Sequence, residues 1–252
     1  MVCLRIMYVL LILCCFSASV WADDTDTQVE DQIKVLTFPI PLLVESEEQG
    51  LFIDLAHAIS KEAKLPIDID IKNTPRALRA FRSGDYDILM PALDVMFSEE
   101  KHVIKSRELF YRKRDYVFTL SSKPLIKNIA QLKGLRVGLT RAYPYSQTLL
   151  NEPGIDFVYV DTDEQNAQLL SVGRIDAFVV EESSGIQAFR NTNLIGEVHY
   201  PKANWISEQD VYFAVYKDGD GKHLEKRISQ ALTRLKQSGL FEQIMSGSNT
   251  GL

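Results

Sequence analysis

The three cysteines of this 252-residue chain, Cys3, Cys14 and Cys15, all fall within its first 22 residues. Everything after them lacks a thiol, which excludes a disulfide framework, a cysteine metal site and a cysteine nucleophile there. The fold must therefore be held by its apolar core. Metal-binding spacing is missing too: His57, His102, His199 and His223 stand in unrelated segments with no H-E-x-x-H among them. There is no phosphate-cradling glycine-rich loop and no serine in a nucleophile-elbow context. Low-complexity tracts and heptad runs are also missing. Positive charge is in short supply, with 28 Lys and Arg against 34 Asp and Glu. That balance argues against a nucleic acid partner and leaves a small ligand open.

The N-terminus reads as a targeting segment. Arg5 is its single positive charge, Ile6 to Phe16 are apolar, and Val20-Trp21-Ala22 before Asp23 fits a signal-peptidase site. A transmembrane anchor is the rival, but the apolar run is short and the following DDTDTQVEDQ is acidic rather than basic. A lipoprotein reading through Cys14 or Cys15 is poorer, because Leu13 is too large for the usual preceding position. The expectation is a signal peptide over 1–22, a polar flexible leader over 23–30, and a mature chain in the periplasm. Losing Arg5 leaves 27 bases against 34 acids, a net charge near −7. About 230 residues remain, enough for one large or two modest cores.

Two stretches share one grammar. Ser171 to Glu182 reads SVGRIDAFVVEE, and Arg82 to Ala92 reads RSGDYDILMPA. In each, a helix-ending Gly precedes an Asp by three residues, and a buried strand follows. Two such units roughly ninety residues apart suggest two lobes built alike, with a ligand in the cleft between them.

Periodicity and turn residues predict strands at 33–38, 67–71, 87–90, 135–139, 157–160, 177–180, 194–200 and 211–215. Helices are expected at 52–63, 76–82, 125–134, 145–150, 164–172, 183–189 and 224–238, with a short one from 240 to 244. Thr74, Ser98 and Asp163 are the expected caps. The alternation of strand and helix calls for an α/β fold.

Several of these segments together resemble the bacterial extracellular solute-binding proteins of family 3, the periplasmic partners of polar amino-acid transporters. The segments are GLFIDLAHAISKEA at 50–63, RSGDYDILMPALDVMFSEEKHVIKSRELFY at 82–111, LRVGLTRAYPYSQTL at 135–149, GRIDAFVVEE at 173–182, and QDVYFAVYKDGDGKHLEKRISQALTRLKQSGLFEQIM at 209–245. The resemblance implies a periplasmic binding protein-like fold: two α/β lobes with mixed sheets joined by a two-strand hinge. Carried onto this chain, lobe 1 is 31–114 plus 213–250 and lobe 2 is 115–212. It implies capture of a small polar, amino-acid-like or carboxylate-bearing solute by hinge closure for an ABC transporter permease. No cofactor or metal is called for, and a monomer is expected.

The same resemblance supplies candidate ligand residues. Glu181 stands where the family places an acid that takes the ligand's amino group; its bland alternative is a solvated loop acid beside Glu182. Thr140, Arg141 and Tyr143 fall where the family holds a carboxylate with side chains and helix-end amides. Ala92 and Asp94 occupy the tip loop of the first lobe, where a carboxylate-clamping arginine is expected shortly afterwards. Here Glu99-Glu100-Lys101 stands in its place. Arg76, in the first turn of its helix, is the substitute cation, against a surface ion-pair reading. Phe38 and Phe97 could form an apolar wall or belong to the core. Two other functions remain open: a sensory domain signalling to a membrane sensor, and a periplasmic enzyme such as a dehydratase using Asp94 and Glu181.

Overall fold

The computed structural model describes residues 32–97 and 100–247. The expected signal peptide, the leader and the Ser98 cap lie outside the described residues. The chain opens with β1 (Ile33–Thr37), α1 (Leu51–Ala63), β2 (Ile67–Ile71), α2 (Thr74–Arg82), β3 (Ile88–Ala92), β4 (Val103–Lys105) and the long β5 (Tyr111–Leu120). Then come β6 (Arg136–Thr140), α3 (Gln147–Leu150), β7 (Asp156–Val160), α4 (Asp163–Ser171), β8 (Ala177–Glu181), α5 (Glu182–Asn191) and β9 (Val198–His199). The last elements are β10 (Ser207–Tyr216), α6 (Gly221–Ser238) and α7 (Leu240–Met245).

The strands pair in the order β2-β1-β3-β10-β5-β8-β6-β7, with β4 attached to β10 and β9 to β5. Within each lobe the strands joined by helices are parallel, as right-handed crossovers require. β5 and β10 run antiparallel to each other and to their other neighbours, so both sheets are mixed. Each of these two strands serves both lobes. The first half of β10 pairs with the first half of β5, Ser207 opposite Asp115 through Val211 opposite Tyr111. Beyond that, β10 continues onto β3 and β4, while β5 continues onto β8.

The buried side chains divide accordingly. One cluster joins residues between Val35 and Phe110 with residues between Val211 and Ile244, including Phe52, Phe81, Met90 and Leu232. Two further clusters lie on opposite faces of the other sheet. Val117, Leu139 and Val179 point to one face, and Phe118, Phe178 and Val180 to the other, where Phe189 of α5 packs on them. Alternation along β5 and β8 assigns these faces, because successive strand residues point opposite ways.

The shared grammar of the two lobes is a strand-pinning device. Gly84 (φ 81°) and Gly173 (φ 69°) end their helices in the left-handed region. Three residues on, the Asp87 amide donates to the Lys34 carbonyl at 3.0 Å and its carboxylate accepts from the Lys34 amide at 2.8 Å. Asp176 does the same to Arg136, at 2.8 and 3.0 Å, and its carboxylate also takes the Arg136 guanidinium. Each Asp thus sets the start of an inner strand, β3 or β8, whose far tip reaches the space between the lobes.

Three expectations are corrected. The helix expected over 125–134 is a single 3-10 turn, Ile129–Leu132, capped by Asn128, because Pro124 and Gly134 leave too few residues for a longer helix. The strand expected over 194–200 is a 3-10 turn, Ile195–Glu197, followed by two-residue β9. The strand expected at 211–215 extends back to Ser207, where polar residues are satisfied by pairing with β5. Two caps also move by one residue. Asn73, not Thr74, accepts the Arg76 amide at 3.1 Å, and Thr162, not Asp163, accepts the Gln165 amide at 3.2 Å. The second shift leaves the Asp163 side chain free for another role.

Candidate functional site

A cleft of about 500 Å³ opens between the lobes at the strand tips. That volume suits a small solute. One wall is the loop after β1, Phe38 to Pro41 with Leu43, joined by Phe52, Pro91, Leu93 and Met96. It is almost wholly apolar. Gly50 allows this loop to fold onto α1: its φ is 128°, and a Cβ there would sit 2.4 Å from the Leu43 carbonyl oxygen. The N-terminal turn of α2, Asn73 to Pro75, borders the same wall.

The floor comes from the crossing strands. Tyr111, Lys113 and Asp115 alternate with exposed Arg112 and half-buried Arg114, so they share one face of β5. Phe52 packs edge-on against Phe110 and Tyr111, with ring centroids 5.1 and 5.4 Å away, and fixes where Tyr111 enters the cleft. Lys113 is only 7% exposed, and its ammonium bonds both oxygens of Asp115 at 2.7 and 2.8 Å. Burial pulls the Lys113 ammonium below its usual range, and the Asp115 carboxylate opposes that pull. Ser207 donates to the other side of Asp115 at 2.6 Å.

The second wall is polar. Glu181, the last residue of β8 and 6% exposed, caps α5 by accepting the Ser184 amide at 3.0 Å. Its own amide donates to the Tyr143 oxygen at 3.1 Å. Burial pushes its carboxyl above the ordinary value, against the amides of Ser184 and Ser183 and the nearby Lys113. Asp163, in the first turn of α4, receives the Thr140 hydroxyl, and the Asn166 side-chain amide in turn donates to that hydroxyl at 3.1 Å. Burial, with Glu164 and Glu181 nearby, lifts its carboxyl from 3.8 to about 6. On the lip, Arg141 donates to Asp161 at 2.8 Å. The loop between is braced by two hydrogen bonds: the Thr140 amide donates to the Tyr145 hydroxyl at 2.9 Å, which donates to the Val179 carbonyl at 3.0 Å.

Of the residues singled out in the sequence, Phe38, Thr140, Arg141, Tyr143 and Glu181 come together around this cleft. Arg76, Ala92 and Asp94 are not among the residues that line it. Arg76 is on the exposed side of α2, Ala92 is fully buried in β3, and Asp94 has a side chain 72% exposed and paired with Lys105 at 2.9 Å. Phe97 packs edge-on against Phe81 in the core of the first lobe. Sequence reasoning passed over Lys113, Asp115 and Asp163. A period-two reading of Tyr111-Arg112-Lys113-Arg114-Asp115 would have grouped the first two with Tyr111 on one face. Nothing local distinguishes Asp163 from an ordinary cap.

Among the described residues no group of three or more His, Cys, Asp or Glu is placed to hold a metal ion, and no helix is long and apolar enough to cross a membrane. No protein of curated function matches the chain in sequence. Solved structures match its fold. An ancestral arginine-binding protein bound to arginine is 22% identical with a TM-score of 0.66, over 86% of this chain and 97% of that one. The GluR0 ligand-binding core from Nostoc punctiforme, in complex with L-glutamate, is 21% identical with a TM-score of 0.68, over 84% and 96%. A histidine kinase sensor domain similar to periplasmic binding proteins is 22% identical with a TM-score of 0.72, over 88% and 97%. At these identities the likeness carries the two-lobed fold alone. The family model is more specific, and it spans the apolar loop, both crossing strands and the Glu181 tip. Matching that model over residues 39–247, the chain belongs to the bacterial extracellular solute-binding proteins, family 3.

Proposed function

We propose that this periplasmic solute-binding protein captures a small amine-bearing solute in the cleft, closes its lobes over it, and delivers it to the permease of an ABC transporter. The observation that carries this reading is the cleft itself. An apolar wall from one lobe faces a polar wall with Glu181 from the other, across about 500 Å³. An ammonium group suits Glu181, because a buried carboxylate without a cation of its own gains a charge-assisted hydrogen bond. Closure follows from the way β5 and β10 join the lobes. A small change of backbone angle where they pair rotates one wall onto the other. A ligand touching both walls favours the closed form by its differential affinity for that form. Binding rather than turnover is the role proposed, as the family consists of binding proteins.

The test is direct. Protein purified under native conditions is denatured, and the released small molecules are identified by mass spectrometry. The refolded protein is then screened by thermal shift against the same compounds and against common polar solutes. A released solute that raises the melting temperature is expected. No released solute together with no stabilising compound refutes the reading.

A further inference from the structure

The charges of the cleft do not balance. Three carboxylates line it, those of Asp161, Asp163 and Glu181, with a fourth, Asp115, fully buried beneath; they meet two cations, Lys113 and Arg141. Asp115 spans the Lys113 ammonium with both oxygens, and Asp161 holds Arg141, so each of these pairs is neutral within itself. Asp163 and Glu181 are left with neutral donors: the Thr140 hydroxyl on one, the Ser184 amide on the other. Both carboxyls are pushed upward chiefly by burial; the amides of Ser184 and Ser183 and the nearby Lys113 oppose the rise at Glu181, while the Thr140 hydroxyl opposes it and Glu164 and Glu181 add to it at Asp163. Negative charge short of a counter-ion behaves in this way.

An entering carboxylate finds little to receive it. Among the described residues, the only Lys and Arg lining the cleft are the two already paired. Most amides of the lip loop are spent as well. The amides of Arg141, Tyr143 and Tyr145 donate to the carbonyls of Val160, Thr140 and Tyr143, and Pro144 has no amide to give. Across the cleft stand Phe38, Ile40, Leu43, Leu93 and Met96, a surface suited to hydrocarbon.

We infer that the cleft selects an organic ammonium compound with an apolar body and no carboxylate, its ammonium held by Glu181 and Asp163 and its body laid on the apolar wall. This rests on the solute-binding reading above and narrows it. An α-amino acid of the same size brings its carboxylate into a site that already carries two unpaired negative charges. It binds more weakly for that reason.

The experiment is calorimetry on refolded, ligand-free protein with matched probes. Phenethylamine, phenylalanine and hydrocinnamate share a skeleton and carry amine only, both groups, or acid only. Cadaverine, lysine and glutarate repeat the comparison with a diamine. At least one amine is expected to bind about tenfold or more tightly than its amino acid and its acid. Glu181→Gln and Asp163→Asn should each weaken that amine by about tenfold or more. Gln and Asn keep the acceptor oxygens for Ser184 and Thr140, and melting curves will show that both variants fold. Asp68→Asn, exposed on β2 and away from both the cleft and the crossing strands, should leave affinity unchanged. Equal or tighter binding of an amino acid or acid overturns the inference and leaves the solute-binding reading standing, as does amine binding that neither variant weakens. If none of the probes binds, the solute released from native protein decides. An ammonium compound without a carboxylate supports the inference, a carboxylate-bearing solute overturns it, and no released solute together with no stabilising compound overturns both readings.

Discussion

Replacing Asp163 with Asn should stabilise the ligand-free protein while weakening its capture of an amine. In the folded chain the Asp163 carboxyl is lifted from 3.8 to about 6, chiefly by burial. Below 3.8 the group is protonated in both folded and unfolded chains and carries no penalty. As pH rises, the unfolded chain gives up its proton first, so the folded state loses stability until the pH passes about 6. Fully expressed, a rise of that size is worth up to about 3 kcal/mol. Asp163 is partly exposed, and solvent screening reduces this to ~1–2 kcal/mol. The Asn variant escapes the penalty, and its carbonyl can still accept from Thr140. For a domain of this size the gain corresponds to a melting temperature roughly 3–6 °C higher above neutral pH. The advantage should vanish near pH 4, where the native carboxyl is protonated. Calorimetric melts of refolded wild type and variant at both pH values provide the check. A variant less stable at both would show that Asp163 is a structural acceptor, and the unpaired-charge argument would fail.

Three further outcomes follow from the packing. Lys113→Met strands the fully buried Asp115 carboxylate beneath the cleft and should cost about 3–5 kcal/mol by denaturant melts; Lys113→Met with Asp115→Leu should recover much of that. Gly138→Ala should destabilise by about 1–3 kcal/mol, since a Cβ there would lie 2.3 Å from Asn166 Oδ1 and 2.5 Å from Ile175 Cδ1; a neutral result would mean that α4 yields readily. Asp87→Ala and Asp176→Ala remove the same strand pin from the two lobes and should each cost about 1–2 kcal/mol. Hydrogen exchange will show whether each loss is confined to its own lobe's sheet.

Much of the fold was legible because each lobe repeats one pattern, helix, left-handed Gly, Asp, buried strand, and each residue type in it has one dominant physical use. The strand at 67–71 was placed with the bounds it has in the structure, and helix 51–63 began one residue before its expected start. The crossings near Arg112 to Phe118 and Gln209 to Phe213 follow from the family resemblance, but the full length of the crossing strands was harder to see. Their polar halves lack apolar alternation because each pairs with the other at the hinge, so pairing rather than burial holds them. Glu181 could be picked out as an acid at a buried strand's tip. Asp163 could not, because which residue caps α4 depends on a one-residue shift to Thr162. Lys113 and Asp115 were hidden in a charged run whose two faces separate only once the strand is known to be extended. Arg76 and Asp94 lie outside the cleft lining, since a first-turn or tip-loop position does not by itself aim a side chain into a cleft.

Capture by closure is most directly tested by small-angle X-ray scattering of the refolded protein, alone and saturated with the solute released from native preparations. The account predicts a smaller radius of gyration with solute bound, and loss of that contraction in Glu181→Gln at the same solute concentration. A radius unchanged by saturating solute would contradict it.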